Sequence, residues 1–327
     1  MTGVQTCALP ICAYPFADPK NRFRPAFWRF LYEIVRFNRL TRRLLEKGRL
    51  QGLTLGSYLA RYRFSAAFTE RYIIPMGAAI WSTADRDMLQ FPADTFARFF
   101  ENHGLLSLGR QPQWYSIKGG SREYVRAFLK MFSGEVFINR PVRKIARENG
   151  RVRLWTDGGE AVFDRVVIAA HADEALGMLA DPTETETRLL SAWGYTNNRV
   201  VLHRDVACLP PLTKAHASWN YTREPGMTDQ PVLSMTYYMN LLQQLSSPHH
   251  YCVTLNPGRV IEAAHILADL VFAHPLFSTG AVHTQAELPM LNGARNTWFC
   301  GSYFRYGFHE DAVMSAVAVG RDFGINL

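Results

Sequence analysis

Between Arg24 and about Arg49 the apolar residues Phe27, Phe30, Leu31, Ile34, Phe37, Leu44 and Leu45 recur mostly three and four positions apart, with arginines between them. That spacing predicts an amphipathic helix with a basic outer face. Shorter helical stretches follow at Leu55–Tyr62, Ser65–Tyr72 and Thr95–Asn102, punctuated by glycine and proline. At Lys118 the pattern changes. Gly119-Gly120-Ser121 opens a helix over Arg122–Phe132, and β-branched runs then predict strands at Val136–Asn139, Val142–Arg147, Val152–Thr156 and Ala161–Ala170, with hairpin turns at Asn149-Gly150 and Asp157-Gly158-Gly159. The last run, Arg165–Ala170, is nearly all apolar, as in a strand buried on both faces. A helix at Asp173–Leu179 follows it.

A second strand-rich stretch covers Arg199–His203, Ser218–Tyr221, Val232–Met239 and Tyr251–Leu255, before a helix predicted at Ile261–Phe272. The chain closes with a strand at Trp298–Cys300, a turn at Gly301-Ser302-Tyr303 and a helix over about Glu310–Phe323. This order implies domains assembled from discontinuous segments. The expected division is a helical part of one domain at 14–111, a second domain at 112–180 and 285–327, and the β-rich remainder of the first at 181–284. The fold class is α/β.

Composition narrows the classes. With 327 residues, 48% hydrophobic and 20% charged, the chain can bury a large core, which excludes global disorder. No apolar run reaches the roughly 18 residues of a membrane span. The net charge of +8 is concentrated: residues 20–63 hold twelve basic and two acidic residues. A solvated basic face, contact with an anionic membrane surface and contact with nucleic acid all fit the helix at 24–49. Nucleic acid is set aside as a partner. Cys7, Cys12, Cys208, Cys252 and Cys300 form no C-x-x-C pair and are odd in number, which favours a reducing, cytoplasmic compartment, with peripheral membrane contact as an addition. His249-His250 lacks a third ligand at a useful spacing, so no metal site is expected.

The first residues, MTGVQTCALPIC, have no basic n-region, and their apolar stretch is too broken for a signal peptide. They resemble a translated sequencing adapter. About Met1–Ala13 is therefore set apart as an artefact, with authentic sequence expected upstream.

The stretch from Asn296 to Ala316 carries the chemistry. An apolar strand ends in Gly301, a short loop follows, and Gly307 precedes a helix whose first face is small at Ala312, Ser315 and Ala316. Glycine at a strand end lets backbone N–H groups approach a ligand, and a helix N-terminus favours negative or electron-rich groups. An ordinary strand–turn–helix with glycine caps fits the same residues.

This stretch resembles the C-terminal FAD-binding motif of the flavin-containing amine oxidase and phytoene desaturase superfamily. Tyr72–Trp81, Pro112–Trp114, Lys118–Val125, Ser218–Tyr221, Thr254–Pro257 and Tyr306–Asp311 extend the resemblance to a bacterial subgroup of NAD/FAD-binding flavoproteins. The resemblance implies an incomplete Rossmann-like nucleotide-binding domain beside a mixed α+β substrate domain, with FAD as cofactor. It places Gly301 and Ser302 at the strand end, and Gly307, His309, Glu310, Asp311 and Ala312 at the helix start. It sets Val142 where a strand backbone meets the adenine. Ser302 stands where many relatives carry Glu or Asp, which weakens a ribityl contact. No two glycines lie two apart, so the G-x-G-x-x-G fingerprint is absent, and the chain is expected to lack an N-terminal ADP-binding βαβ unit.

The implied activity is hydride transfer to flavin from a C–N or C–C bond of an amine or lipid-like substrate. A non-catalytic lipid-binding or accessory protein is the alternative. Lys118, Tyr303, Tyr306 and His309 are the candidates for catalytic roles, against solvation, core packing or helix capping. Tyr237, with Trp219, Asn220 and Tyr221 opposite, is a candidate for the substrate pocket on the same terms.

Overall fold

A computed structural model describes residues 4–7, 19–81, 85–107, 113–224 and 232–325. The chain divides into two units, each built from two segments. One comprises Met1–Ser133 and Asn197–His274, the other Gly134–Thr196 and Pro275–Leu327. Of the residues set apart as Met1–Ala13, only Val4–Cys7 lie among those described; they form a strand antiparallel to Trp114–Ile117.

In the first unit the basic helix is present as Pro25–Glu46, with proline at its first position, where no N–H is needed. Its buried face carries Phe37, Asn38, Thr41 and Leu44. Phe37 is fully buried, with the rings of Tyr58, Phe64 and Phe68 at centroid distances of 5.9, 5.6 and 5.5 Å. Thr41 and Tyr58 share a hydrogen bond of 2.7 Å. Glu33 is also turned inward, its carboxylate accepting from the Ser65 backbone N–H and hydroxyl. The predicted helix at Ser65–Tyr72 is longer and irregular. It runs as Ala66–Phe68, a π-helical turn Thr69–Ile73 and Ile74–Trp81, the widened turn falling just before Pro75, which cannot donate.

A five-stranded sheet completes this unit, in the order Ile266–Pro275, Tyr195–His203, Cys252–Leu255, Val232–Tyr238 and Trp219–Glu224. The helix predicted over Ile261–Phe272 is thus an edge strand. Its residues Ile266, Leu267, Leu270 and Val271 satisfy a helical period as well as a strand, and pairing with the neighbouring strand decides between them. One sheet face packs Val200, Met235 and Leu255 with Trp219, Tyr221 and Tyr237 against Ala79.

The other face is a buried polar ladder. The Asn220 amide donates to the Thr236 carbonyl, the Thr236 and Thr254 hydroxyls meet at 2.9 Å, and Thr254 meets His203 Nε2 at 2.7 Å. His203 Nδ1 accepts from the Asp205 N–H, so Nε2 carries the proton of a neutral ring. Burial pushes the His203 pKa below the ordinary 6.5, outweighing the opposing pull of Asp205.

In the second unit a three-stranded antiparallel sheet, Val142–Glu148, Arg151–Thr156 and Gly159–Phe163, turns at Asn149 and Gly150, both left-handed at φ 51° and 72°. The single strand predicted over Ala161–Ala170 is two. Gly159–Phe163 closes the meander, and Val166–Ile168 pairs in parallel with Thr297–Phe299. Burial on both faces does not hold along Arg165–Ala170: Ile168 is buried, but Val167 is 44% exposed. The strand predicted at Val136–Asn139 is absent. Its residues Val136, Phe137 and Ile138 are exposed, and Asn139 is left-handed.

The densest electrostatic feature of this unit is at Arg147. Its guanidinium is 1% exposed and binds Glu186 through two nitrogens and Asp181 through Nε, while Arg295 donates to Asp181 and to the Arg147 carbonyl. Glu186 also closes a capping box with Thr183 on the helix Glu184–Leu190. Burial alone would raise the Glu186 pKa, but the hydrogen bonds from Arg147 and from the Thr183 backbone hold it below the usual carboxylate range.

Two outcomes follow. Arg147→Met should cost about 3–5 kcal/mol in urea unfolding, because it strands the buried carboxylate of Glu186, while Asp181 keeps Arg295. His203 stays neutral in the folded chain while the unfolded chain takes up its proton below the ordinary value. Stability should therefore fall as the pH drops below 6.5, by no more than about 1.4 kcal/mol per pH unit, until the folded ring itself takes up the proton. His203→Gln, followed by urea unfolding across the same range, should flatten that slope.

Candidate functional site

The strand Thr297–Phe299 is buried along its length and delivers the chain to Gly301. Gly301 is extended at φ 162° and ψ 168°, and its requirement for glycine comes from packing. A Cβ there would stand 2.6 Å from Tyr303 Cε1 and 2.9 Å from Cδ1. Ser315, nearly two turns into the following helix, stitches the junction: its hydroxyl oxygen accepts from the Gly301 N–H at 2.9 Å and its O–H lies 2.7 Å from the Ala312 carbonyl.

After Gly301 the residues Ser302–Phe304 make one tight turn, held from outside by Gln285, whose side-chain amide donates to the Tyr303 and Arg305 carbonyls. Gly307 is left-handed at φ 95° and lies against Phe277, whose ring would be 3.1 Å from a Cβ. The helix His309–Asp322 begins two residues later.

Tyr303 is 1% exposed, with the rings of Phe304 and Trp193 at 4.9 and 5.8 Å. Its hydroxyl has no hydrogen-bond partner among the described residues. Burial pushes its pKa far up, so the phenol stays protonated. Nearby in the same unit, Tyr195 accepts from the Ala172 N–H and stacks on His171 at 4.4 Å; burial lifts its pKa to about 12.

At the helix start Asp311 is buried. Its carboxylate accepts from the Phe308 N–H at 3.0 Å and faces Arg305 Nε at 3.8 Å. His309 and Glu310 are exposed, while Ala312 and Tyr306 are half-buried. The helix end therefore presents the partial positive charge of its N–H groups, offset by an internal carboxylate. That balance suits an electron-rich neutral edge better than a full anion.

The sequence-predicted residues Gly301, Ser302, Tyr303, Tyr306, Gly307, His309, Glu310, Asp311 and Ala312 are thus gathered in one strand–turn–helix of the second unit. Val142 lies in the same unit, half-buried at the start of its strand, opposite Thr156 and beside a bulge. Lys118 belongs to the first unit, exposed between the strand Trp114–Ile117 and two left-handed glycines. Tyr237 and Trp219 pair across strands with rings 5.8 Å apart, and the buried Asn220 amide is occupied by backbone groups of Ala217 and Thr236. Gln285 and Ser315 are the supports that sequence reading missed. Ser315 carried a signal only as a small residue, and Gln285 carried none.

Among the described residues no cluster of three His, Cys, Asp or Glu side chains is placed to hold a metal, and no helix is long and apolar enough to cross a membrane.

The family described as flavin containing amine oxidoreductase matches residues 39–236. No curated protein matches the chain. Among solved structures, the CLA-producing fatty acid isomerase from P. acnes is 14% identical with a TM-score of 0.62, over 94% of this chain and 77% of that one. Putrescine oxidase bound to putrescine is 11% identical with a TM-score of 0.62, over 90% and 75%. Cyclohexylamine oxidase from Brevibacterium oxydans IH-35A is 12% identical with a TM-score of 0.60, over 92% and 76%. At these identities the likeness is one of fold.

Gly301→Ala should destabilise the protein by about 1–3 kcal/mol in urea unfolding, since the ring of Tyr303 must move. Tyr303→Phe should leave stability unchanged or raise it by about 1 kcal/mol, because it removes a buried hydroxyl without a partner. A loss of stability on Tyr303→Phe would show that the hydroxyl has one.

Proposed function

The chain belongs to the flavin containing amine oxidoreductase family, whose match covers more than half of it, and from that premise we propose an FAD-dependent oxidoreductase that takes hydride from a C–N or C–C bond of an amine or lipid-like substrate. The observation that carries the reading is the junction at Gly301, where a buried strand, a side-chain-free residue and a 14-residue helix meet.

These residues fit a flavin. Gly301 ends the strand where the ring of Tyr303 packs against it, Gly307 turns the chain into the helix, and the helix start offers N–H groups to the electron-rich edge of a neutral heteroaromatic ring. When bound, the flavin supplies a two-electron acceptor. Ser302 contributes one hydroxyl to the ribityl chain where a carboxylate would offer two acceptor oxygens. Tyr303, enclosed by rings, shapes the Gly301 backbone; Tyr306 and His309 are the side chains we assign to the substrate side. By resemblance alone, Lys118 is assigned a water at flavin N5 and Val142 a backbone contact to adenine.

We further propose that the glycine-rich turn for the diphosphate lies on polypeptide outside these 327 residues. Two features support this. The two-stranded parallel sheet leaves Val167 exposed, and the helix Arg122–Met131 buries none of its residues although Phe128 and Leu129 face one side of it.

Purified protein should be tested for visible flavin absorption, before and after addition of FAD, and for anaerobic bleaching by amines and by unsaturated fatty acids. Flavin bands that bleach with one class identify the substrate class. A colourless protein that takes up no FAD, alone and when extended upstream, would overturn the reading in favour of a non-catalytic lipid-binding role. Tight FAD uptake by the chain as it stands would overturn the proposal of an external turn.

A further inference from the structure

The outer face of the helix Pro25–Glu46 is more basic than its composition. Arg29, Arg39 and Arg43 are exposed on it, spaced with Tyr32 at intervals of three, seven and four residues that make one stripe. Of the two acidic residues in positions 20–63, Glu33 is buried and bound to Ser65, which leaves Glu46 alone at the far end. Two further arginines are used by the protein itself: Arg36 binds the Tyr62 carbonyl, and Arg42 pairs with Glu101 and the Leu106 carbonyl. The remaining guanidinium groups extend along a helix about 33 Å long.

At the start of this stripe the exposed side chains are aromatic. Phe23 is 80% exposed, Tyr32 65% and Trp28 52%, and the Trp28 indole N–H is tied to the Arg22 carbonyl, which fixes the ring in place. Arg22 and Arg24 are exposed on either side of Phe23. The apolar face of the helix is spent on the core, so whatever meets the outer face is held by positive charge along its length and by amphipathic rings at one end. Exposed aromatic rings can stack on nucleic-acid bases as well, but here they are gathered at one end of the stripe with the indole pinned to the backbone, the arrangement that suits a bilayer interface, which takes Trp, Tyr and Phe at headgroup depth and attracts guanidinium groups when the lipids are anionic.

We propose that residues 20–47 form a docking surface for an anionic lipid bilayer, with Phe23, Trp28 and Tyr32 entering the headgroup layer. The surface belongs to the first unit and stands apart from the flavin reading, so either can fail without the other.

The test is flotation of the full chain with vesicles of phosphatidylcholine alone and of phosphatidylcholine mixed with phosphatidylglycerol. The protein should float only with the mixed vesicles and be released as salt rises. Replacing Arg29, Arg39 and Arg43 by Glu should weaken binding by about 100-fold or more, since each basic residue near such a surface contributes about one factor of five. Trp28→Ser with Phe23→Ser should weaken it at every salt concentration. If the Glu variant does not fold, the same three positions as Gln give the comparison, and the salt series on the unaltered protein stands without either. Equal flotation with both vesicle types, flotation of the Glu variant like the parent, absence of flotation at low salt, or displacement from the mixed vesicles by an RNA or DNA duplex at matched phosphate would each overturn the proposal.

Discussion

Arg147 is a charge the second unit cannot leave alone. An arginine cannot shed its proton, so once its guanidinium is taken out of water every part of the surrounding structure must supply acceptors. The chain does this with the carboxylates of Glu186 on a helix and Asp181 in the loop before it, and a distant residue, Arg295, closes the arrangement by donating to Asp181 and to the Arg147 carbonyl. The last is the important one for function, because Arg295 lies two residues ahead of the strand Thr297–Phe299. The left-handed conformations of Arg295 and Asn296, and the bond from the Asn296 side chain to the Gly150 carbonyl, belong to the same closure. The strand that carries Gly301 is therefore registered by a salt-bridge network at one end and by Ser315 at the other.

Seen from that network, Gly301 is less a flexible hinge than a close-packed point. Its backbone is extended and open to any residue, so conformational freedom is not what selects glycine there; the ring of Tyr303 is. Gly307 differs, since its left-handed φ and its contact with Phe277 both act. Two glycines six residues apart are thus kept for different reasons, and a substitution at one is a test of packing and at the other of backbone strain as well.

The helical region was legible because Phe27, Phe30, Phe37 and Leu44 hold one period over many turns, and the strand–glycine–helix at the C-terminus was legible because its punctuation is local. What sequence could not disclose depends on partners far along the chain. Ile266–Pro275 reads as helix until the neighbouring strand gives it a ladder to join. Glu33 reads as a surface acid until Ser65 offers it two donors. Tyr303 reads as a residue that could reach substrate, yet neighbouring rings enclose it. Gln285 pins the loop through a bond to residues 18 and 20 positions away, a distance at which a lone glutamine gives no pattern.

The charges at the helix start set a last constraint on chemistry. A helix N-terminus that was built for phosphate would leave its N–H groups and dipole uncompensated, and commonly adds a lysine or arginine. Here Asp311 is buried at that point and bonded to the Phe308 N–H, so one donor is already taken and one negative charge already sits in the field of the dipole. Arg305 returns part of the balance at 3.8 Å. A dianionic phosphate brought to this end would meet a carboxylate, whereas a ring carbonyl carrying only partial negative charge would not be repelled and would gain as electron density on it rose. The charges at the junction thus favour a group with partial negative charge over a dianion, which supports the proposal that it receives the ring end of a flavin nucleotide with the diphosphate held elsewhere.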